Sequence, residues 1–553
     1  MKNTIRIVLL LFISISFLSA CTDLEEEVLD SALGEGLLSE PQAAQGILAP
    51  VYANLDGLFN NQEQYFLLQE VTTDEAIVPF RGGTDWFNGG RLIEMHQHTW
   101  TPDHNNIRGV WASLVQGVAK SVIAETTLAN LESSSSELYI AEARGMGAFY
   151  NSLLLDLYGV AFDKGPQDEP GTLSTVLRGQ EAIDFIVSEL DDIESVLEDH
   201  GTLGSSRFTK AAAWGIKAKL LLNKAVYTDR YSPSFDFAQS DMQAVIALCD
   251  QIMGSGFYDL ERSDYFAIFN VDNHNHPEHI LSLDQRLEAN GTNRFGWFTL
   301  SRNTHGSVQF PASVGTDGAS TTSDFYHTWD DNQSDPRFFQ DNLPESGTIM
   351  DNEFSLDRGF LQGQQYGIVL NESGATFKRD ASGNLLIEML INTAKTGEPV
   401  NYSIDVDFEN NTGHSDGVRV HKYEFDPMSQ DGKAQSRVDI PLIRLGDILL
   451  IRAEAKLRSN DTPGALADVN ELRSARGASL LTSIDLDQLY NERGFELYWE
   501  MHRRTDMIRF GKFGDTWTSK TSDDVNRRLF PIPQSAIDAA SGTPGYLEQN
   551  EGY

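Results

Sequence analysis

Aromatic side chains in polar, glycine-rich loops are the residues of this sequence best suited to bind a ligand. A flat aromatic face packs against the apolar face of a sugar ring, and carboxylate, amide and guanidinium groups hydrogen-bond to its hydroxyls. Arg81, Asp85, Trp86, Phe87 and Asn88 stand together, with a pair of glycines on each side of the last four. Paired glycines allow a tight projecting loop. The pattern predicts that these five residues contact a ligand, and it is equally compatible with Trp86 and Phe87 plugging the loop onto the core.

Two further aromatic clusters occur in a similar polar setting. The first surrounds Trp297, within residues 293–298, and the second contains Tyr326 and Trp329, within residues 325–331. Such clusters lie on loops that a rigid scaffold carries, which is where binding residues concentrate. We predict Trp297, Tyr326 and Trp329 as additional ligand-binding aromatics.

Catalytic and metal-binding motifs are not recognisable in the sequence. The histidine groups 96–104 and 274–279 lack the helical spacing of zinc ligands, and no HExxH, Walker loop, GxGxxG or GxSxG occurs. We therefore predict no catalytic residue, no metal and no cofactor. With 81 acidic residues, a carboxylate pair for glycoside hydrolysis is not ruled out by counting, so a surface glycoside hydrolase stays open as the alternative.

The N-terminus has the pattern of a secreted lipoprotein. Lys2 and Arg6 precede an apolar run at 7–18, which is too short to span a bilayer, and Ser19 and Ala20 lead into Cys21. Residues 1–20 are predicted to be a lipoprotein signal peptide, with Cys21 as the lipidated residue that anchors the chain. The acidic stretch at 22–27 resembles a surface-export signal and also fits an ordinary solvated linker.

Charge and cysteine content restrict the function further. The formal net charge is −39, which argues against nucleic acid or anionic lipid as the ligand, because both require a cationic surface. Cys249 is the only other cysteine, so the mature chain can form no internal disulfide. Stability must come from core burial.

Several segments have the spacing of tightly packed helices. Ala211, Gly215, Ala218 and Leu222 share one face behind a predicted N-cap at Thr209, and the same face pattern continues to residue 225. Similar patterns occur at 138–158 and 445–458, and a further helix is predicted to start at a cap at residue 462, before a proline. Helix pairs of roughly 34 residues predict tetratricopeptide-like hairpins. Between about 254 and 439 the composition becomes rich in Gly, Asn, Asp and Ser, which predicts loops and short strands laid over the scaffold.

The C-terminal segment resembles the SusD/RagB family of nutrient-uptake lipoproteins. The matching residues are Glu492-Arg493, Glu496-Leu497, Glu500, His502-Arg503, Asp506, Arg509-Phe510-Gly511, Phe530-Pro531-Ile532-Pro533 and Gln549-Asn550-Glu551-Gly552-Tyr553. Shorter matches at 74–83, 98–102, 335–337, 441–455 and 470–473 extend the resemblance over most of the chain. Glu551 stands where Pro is usual in the family, and Gly446 where Ala or Ser is commoner.

The resemblance implies a fold, a function and partners. The fold is a mainly α, tetratricopeptide-like scaffold, with an N-terminal helical region at 21–230 and a C-terminal region at 231–553 that includes the loop-rich insertion. The function is non-enzymatic capture of oligosaccharides at the outer membrane and delivery to a SusC-like TonB-dependent transporter. Family members place ligand-binding aromatics in loops comparable to those above. Peptide-binding relatives, and a helical-repeat protein used only for protein contacts, remain alternatives.

The acidic residues of the C-terminal motif are predicted to be structural. Glu492, Glu496 and Glu500 recur every four residues, which on a helix places them on one face near Arg493, Arg503 and Arg504. We expect ion pairs among these neighbours that fix helix packing.

Overall fold

The computed structural model describes residues 41–83, 85–131, 135–168, 172–286, 291–431 and 436–553. The predicted signal peptide and Cys21 lie outside these ranges. Within them, none of the helices has the length and apolar character required to cross a membrane.

The described chain is mainly helical, as the sequence predicts. Its α-helices are α1 Pro41–Ala53, α2 Asp56–Phe59, α3 Arg91–His96, α4 Asn105–Ala129, α5 Ser136–Tyr158, α6 Gly179–Ile193, α7 His200–Leu203, α8 Lys210–Leu222, α9 Lys224–Thr228, α10 Gln239–Gly254, α11 Phe295–Phe298, α12 Ser323–His327, α13 Leu445–Arg458, α14 Thr462–Ala475, α15 Leu486–Leu497, α16 Arg503–Arg509 and α17 Gln534–Ala539. A π-helical turn covers Leu67–Val71, and 3₁₀ turns cover Asn88–Gly90, Tyr265–Phe269 and Val525–Arg528.

The long helices pack as pairs, which confirms the helical-hairpin scaffold. The pairs are α4 with α5, α8 with α10, and α13 with α14. Small residues allow the close approach, since a Cβ added at Gly117 of α4 would lie 2.6 Å from the Tyr150 ring of α5. The helices therefore form the rigid part of the molecule.

The structure corrects the predicted cap of one helix and the extent of another. The helix after α13 is capped by Asp461, whose side chain accepts a hydrogen bond from the Gly464 N–H, and not by the threonine that follows. Thr209 occupies the N-cap position of α8 as predicted, although its hydroxyl makes no capping bond. The face pattern also breaks at Asn223, where α8 ends and α9 begins, before it reaches Ala225.

Short antiparallel strands supply the non-helical part of the fold. They are β1 Ala76–Ile77, β2 Ala161–Asp163, β3 Thr175–Leu177, β4 His279–Leu283, β5 Ser320–Thr321, β6 Phe339–Gln340, β7 Gly347–Ile349, β8 Arg358–Leu361, β9 Gly363–Gln364, β10 Tyr366–Ile368, β11 Leu385–Met389, β12 Asn401–Tyr402, β13 Arg419–His421 and β14 Ile440–Arg444. They form three-stranded sheets in the orders β10-β11-β7 and β13-β8-β6, and the pairs β1-β5, β12-β9, β14-β4 and β2-β3. Between α10 and β14, the described residues contain helical turns of at most five residues, which confirms the loop-rich insertion.

One strand pair joins the insertion to the N-terminal half of the chain. In β1-β5, Ala76 pairs with Thr321 and Ile77 with Ser320, and all four residues are buried. This contact carries the chain segment after β1, which contains Arg81 and the following loop, onto the surface of the insertion.

The C-terminal acidic residues form ion pairs with distant partners, and the expectation of pairs among neighbours is wrong. Helix α15 ends at Leu497, and positive φ angles of 62° at Trp499 and 65° at Met501 turn the chain, so Glu500 leaves the helical face. Arg503 instead pairs with Asp74 at 2.7 Å. The prediction assumed one continuous helix from Glu492 to Arg504, and the turn after Leu497 interrupts it.

Glu496 is the centre of this buried network. Its carboxylate lies 3.0 Å from Arg337, 2.6 Å from Arg444 and 2.7 Å from Arg476, and all four side chains are buried. A Cβ at Gly446 would lie 2.7 Å from Glu496 Oε1, which explains why the smallest residue occupies that position. The structural role predicted for the motif thus takes the form of a buried multi-arginine cluster that joins separate segments.

Candidate functional site

Arg81 holds the loop that contains Asp85 to Asn88 against the insertion. This arginine is fully buried, and its guanidinium donates to the backbone carbonyls of Asp317 at 3.2 Å, Gly318 at 3.0 Å and Gly413 at 3.2 Å. Burial and the nearby charge of Arg419 hold its pKa well below the ordinary value. Arg81 therefore positions the loop on the insertion and offers no donor to a ligand.

The two loop aromatics have different environments. The half-buried Trp86 donates from Nε1 to the Thr316 carbonyl at 3.0 Å, and its ring packs edge-on against Phe298 at 5.3 Å between centroids. Phe87 is 47% exposed and touches the ring of Phe80 edge-on at 6.2 Å. Trp86 thus resembles the plug that the sequence left open as an alternative, and Phe87 presents a free aromatic face.

The loop backbone is held in a conformation that L-residues rarely adopt. Trp86 has φ of 61° and Asn88 φ of 45°, and beneath them Asp317 has φ of 55°. Conformations of this kind cost about 1 to 3 kcal/mol each and tend to cluster at binding sites. The Asn88 amide donates to Glu63 Oε1 at 3.2 Å, which ties the far side of the loop to the scaffold.

Charged side chains from two other segments meet the loop at Asp85. Lys395 Nζ lies 3.0 Å and Arg302 Nη2 3.4 Å from the same oxygen, Oδ2, of Asp85. Partial burial acts to raise the pKa of the Asp85 carboxyl, but the Lys395 hydrogen bond and the Arg302 charge outweigh burial and lower it. Asp85 is therefore an anion at neutral pH, clamped by two cations in the same loop as Phe87.

Below this clamp lies a second carboxylate that is incompletely satisfied. Asp317 is fully buried, and neither of its carboxylate oxygens has a hydrogen-bond partner among the described residues. Its nearest basic neighbours are His414, with Nδ1 at 3.4 Å, and Arg302, with Nε at 3.6 Å. Buried polar groups are nearly always hydrogen-bonded, so the Asp317 carboxylate keeps unused acceptor capacity beneath the loop.

Sequence reasoning did not identify Arg302, Lys395, Asp317 or His414. They come from segments that are more than two hundred positions from Asp85 in the chain, and none stands in a short motif. The polar composition of the insertion was the only signal, and it does not single out positions. Their proximity to Asp85 follows from the Arg81 contacts and the β1-β5 pairing.

The other predicted aromatics lie in packed interiors. Trp329 is fully buried, with its ring centroid 4.2 Å from that of Phe495. Tyr326 belongs to the same core and Trp297 to a second one, with 6% and 7% of their surfaces exposed. Other side chains cover their rings, so the structure does not bring them to the loop, and we leave Trp297, Tyr326 and Trp329 out of the proposed site.

One group of side chains has the donors for a cation. One ligand atom each of His274, Asp284 and Asp439 can lie within 4.8 Å of the others. His274 Nδ1 is 2.7 Å from Asp439 Oδ2, and Arg286 Nη2 is 2.6 Å from Asp284 Oδ2. Burial raises the pKa of Asp439, against the opposing hydrogen bonds from Gln285 and His274. The group lies at the end of the β4-β14 pair.

One cavity lies inside the helical scaffold. It has a volume of about 110 Å³ and is bounded by α5, α8 and α16, with Asp156, Lys219 and Arg493 among its polar walls. Lys219 Nζ and Arg493 both pair with Asp447, at 2.8 and 3.1 Å. Because its main charges are satisfied within the protein, the cavity is a packing feature of the scaffold.

The fold and the sequence both match known proteins. A family model described as the SusD family matches residues 268–553. The starch-binding protein SusD of Bacteroides thetaiotaomicron is 24% identical over 520 residues, which is 88% of this chain and 85% of that protein.

Two solved structures have the same fold. A SusD superfamily protein from Parabacteroides distasonis aligns with a TM-score of 0.67 at 20% identity, covering 93% of this chain and 99% of the other. Surface glycan-binding protein A from Bacteroides thetaiotaomicron, in complex with laminarihexaose, aligns with a TM-score of 0.64 at 16% identity, covering 92% and 99%. Because the family model covers more than half of the sequence, the chain belongs to the SusD family.

Proposed function

We propose that this protein binds oligosaccharides at the loop of residues 85–88, here called the Asp85 loop. The observation that carries the proposal is the 47% exposed ring of Phe87, which lies two residues along the loop from Asp85, whose carboxylate holds Arg302 and Lys395. An aromatic face covers the apolar side of a pyranose ring, and the carboxylate and the two cationic groups can exchange hydrogen bonds with its hydroxyls. The rigid scaffold and the Arg81 contacts hold these groups in place before binding, which lowers the entropic cost of association.

Two relatives support a glycan as the ligand. The matched protein from Bacteroides thetaiotaomicron is named as starch-binding, and a protein of the same fold was solved with laminarihexaose. We infer that this chain binds glycans for uptake, anchored to the outer membrane through Cys21 and handing its ligand to a TonB-dependent transporter. A peptide ligand is the alternative within the family.

Binding without hydrolysis is the better account of this site. Glycoside hydrolysis commonly requires two carboxyl groups on opposite sides of the scissile bond, one of them with a raised pKa that allows it to act as an acid. Asp85 has a lowered pKa and is held by two cations, and Asp317 is fully buried beneath the loop. Neither carboxyl group is therefore equipped to protonate a leaving group.

A glycan array probed with the purified full chain, followed by calorimetry on the glycans that bind, tests the proposal. We expect saturable binding to at least one oligosaccharide class and no release of reducing sugar on prolonged incubation. Turnover at ordinary enzyme rates, of about 1 per second or more, would contradict the non-catalytic assignment. Binding to peptides but to no glycan on the array would contradict the ligand class.

A further inference from the structure

The charges of the Asp85 loop are matched before any ligand arrives. The side chains of Lys395 and Arg302 are 38% and 35% exposed, and both contact Oδ2 of Asp85. Arg302 also lies 3.6 Å from the buried carboxylate of Asp317. The two exposed cations of the site are thus balanced by two carboxylates.

The other basic side chains near the loop are buried or already bonded within the protein. Arg81 and Arg419 are both fully buried, and their guanidinium groups donate to backbone carbonyls and to the Ser320 hydroxyl. His414 is only 8% exposed and faces Asp317. The half-buried Arg91 donates from Nε to the Asn88 carbonyl at 3.0 Å. A negatively charged ligand bound at Asp85 would therefore have to take Lys395 or Arg302 away from it.

We propose that the Asp85 loop selects uncharged oligosaccharides over anionic ones, and that Asp85 is the residue that enforces the selection. A carboxylate or sulfate on the ligand would displace Asp85 from its cations and leave a partly buried anion unpaired beside a second one, which is unfavourable. An uncharged sugar needs no such displacement, because its hydroxyls can donate to the oxygens of Asp85 while the clamp stays intact. The formal net charge of −39 adds long-range repulsion of polyanions. This inference rests on the proposed function and assigns the substrate class of the same site.

Pairs of oligosaccharides that differ only in charge separate selection against anions from a preference for a particular glycosidic linkage. The full chain, purified in detergent, is titrated with oligosaccharides that contain uronic acids and with their carboxyl-reduced counterparts, in which each carboxylate has become a hydroxymethyl group. At 0.15 M salt, screening over about 8 Å leaves mainly the local charges of the loop in effect. We expect every carboxyl-reduced ligand that binds to do so at least tenfold more tightly than its acidic parent.

Substitution at Asp85 tests the residue assignment. Asp85→Asn leaves Lys395 and Arg302 without their anion, so we expect the ratio of acidic to neutral affinity to rise at least tenfold. The matched control is Asp351→Asn, which removes the same charge from an exposed pair with Arg379. It should leave the ratio unchanged. Adding Lys395→Gln to Asp85→Asn should bring the ratio back toward the wild-type value.

The outcomes that overturn the inference differ from those that overturn the proposed function. A wild-type protein that binds any acidic ligand more tightly than its reduced counterpart has no selection against anions. An unchanged ratio in Asp85→Asn, with a melting temperature close to wild type, removes Asp85 from the mechanism even if selection exists. A failure to bind any glycan, acidic or neutral, contradicts the proposed function itself.

Discussion

Phe87→Ala should weaken oligosaccharide binding while leaving the fold nearly intact. The ring is 47% exposed and contacts the ring of Phe80 edge-on. Fully burying a phenylalanine side chain is worth about 1.5 to 3 kcal/mol, so losing a half-buried one should lower the free energy of unfolding by about 1 kcal/mol. We expect the substitution to affect ligand binding more than stability, because the exposed face of Phe87 is the platform that we propose for the sugar ring.

The expected effect on affinity follows from the role of an aromatic anchor. Truncating such an anchor costs about 1 to 2 kcal/mol, which corresponds to roughly fivefold to thirtyfold in Kd. Calorimetry with the best oligosaccharide from the glycan array measures this change. Thermal melts on the same samples measure the effect on the fold.

Phe257→Ala is the matched control. Phe257 is 42% exposed and lies at the end of α10, outside the Asp85 loop, so its truncation should have a similar effect on stability and none on Kd. Unchanged affinity in Phe87→Ala, or an equal loss in both variants, would refute the assignment of Phe87 as the ligand platform.

Three further predictions concern the scaffold, the pH dependence of stability and the anchor. Glu496→Ala leaves three buried arginines without their shared carboxylate and should cost about 3 to 5 kcal/mol in urea unfolding, whereas Asp487→Ala, with a 77% exposed side chain, should cost less than about 1 kcal/mol. Burial raises the pKa of Glu75 from 4.5 to about 7, so stability from this group is fully present below pH 4.5 and is lost as the pH rises through about 7. The stability lost through this group over that range is on the order of 3 kcal/mol. Glu75→Gln should therefore make the melting temperature of the protein less dependent on pH between pH 5 and 8, and an unchanged pH dependence would contradict the burial argument. Cys21→Ala should release the chain from the membrane fraction of cells that lack a partner transporter, and Cys249→Ala should not; retention of Cys21→Ala would show that another contact anchors the protein.

Local patterns in the sequence were sufficient to predict the helical scaffold. The small residues of α8 recur at helical spacing, and so do the apolar residues of the segments that form α5 and α13. This spacing relates residues only three or four positions apart, so it follows directly from helix geometry. The composition of the insertion likewise predicted loops and short strands, because glycine, asparagine and aspartate favour turns. The family motifs at the C-terminus were recognisable for a similar reason, since they are contiguous.

The sequence by itself determined the fold class, the family and one loop that contains Asp85 to Asn88. Only the tertiary structure decided which aromatic is exposed, because burial depends on what packs over a side chain and Trp329 and Phe87 have similar polar neighbours in the chain. It also brought Arg302 and Lys395 to Asp85, and Arg444 to Glu496, across separations that no helical or strand period encodes. Charge pairing of this kind acts through space, and the positions that meet are fixed only when the whole chain has packed.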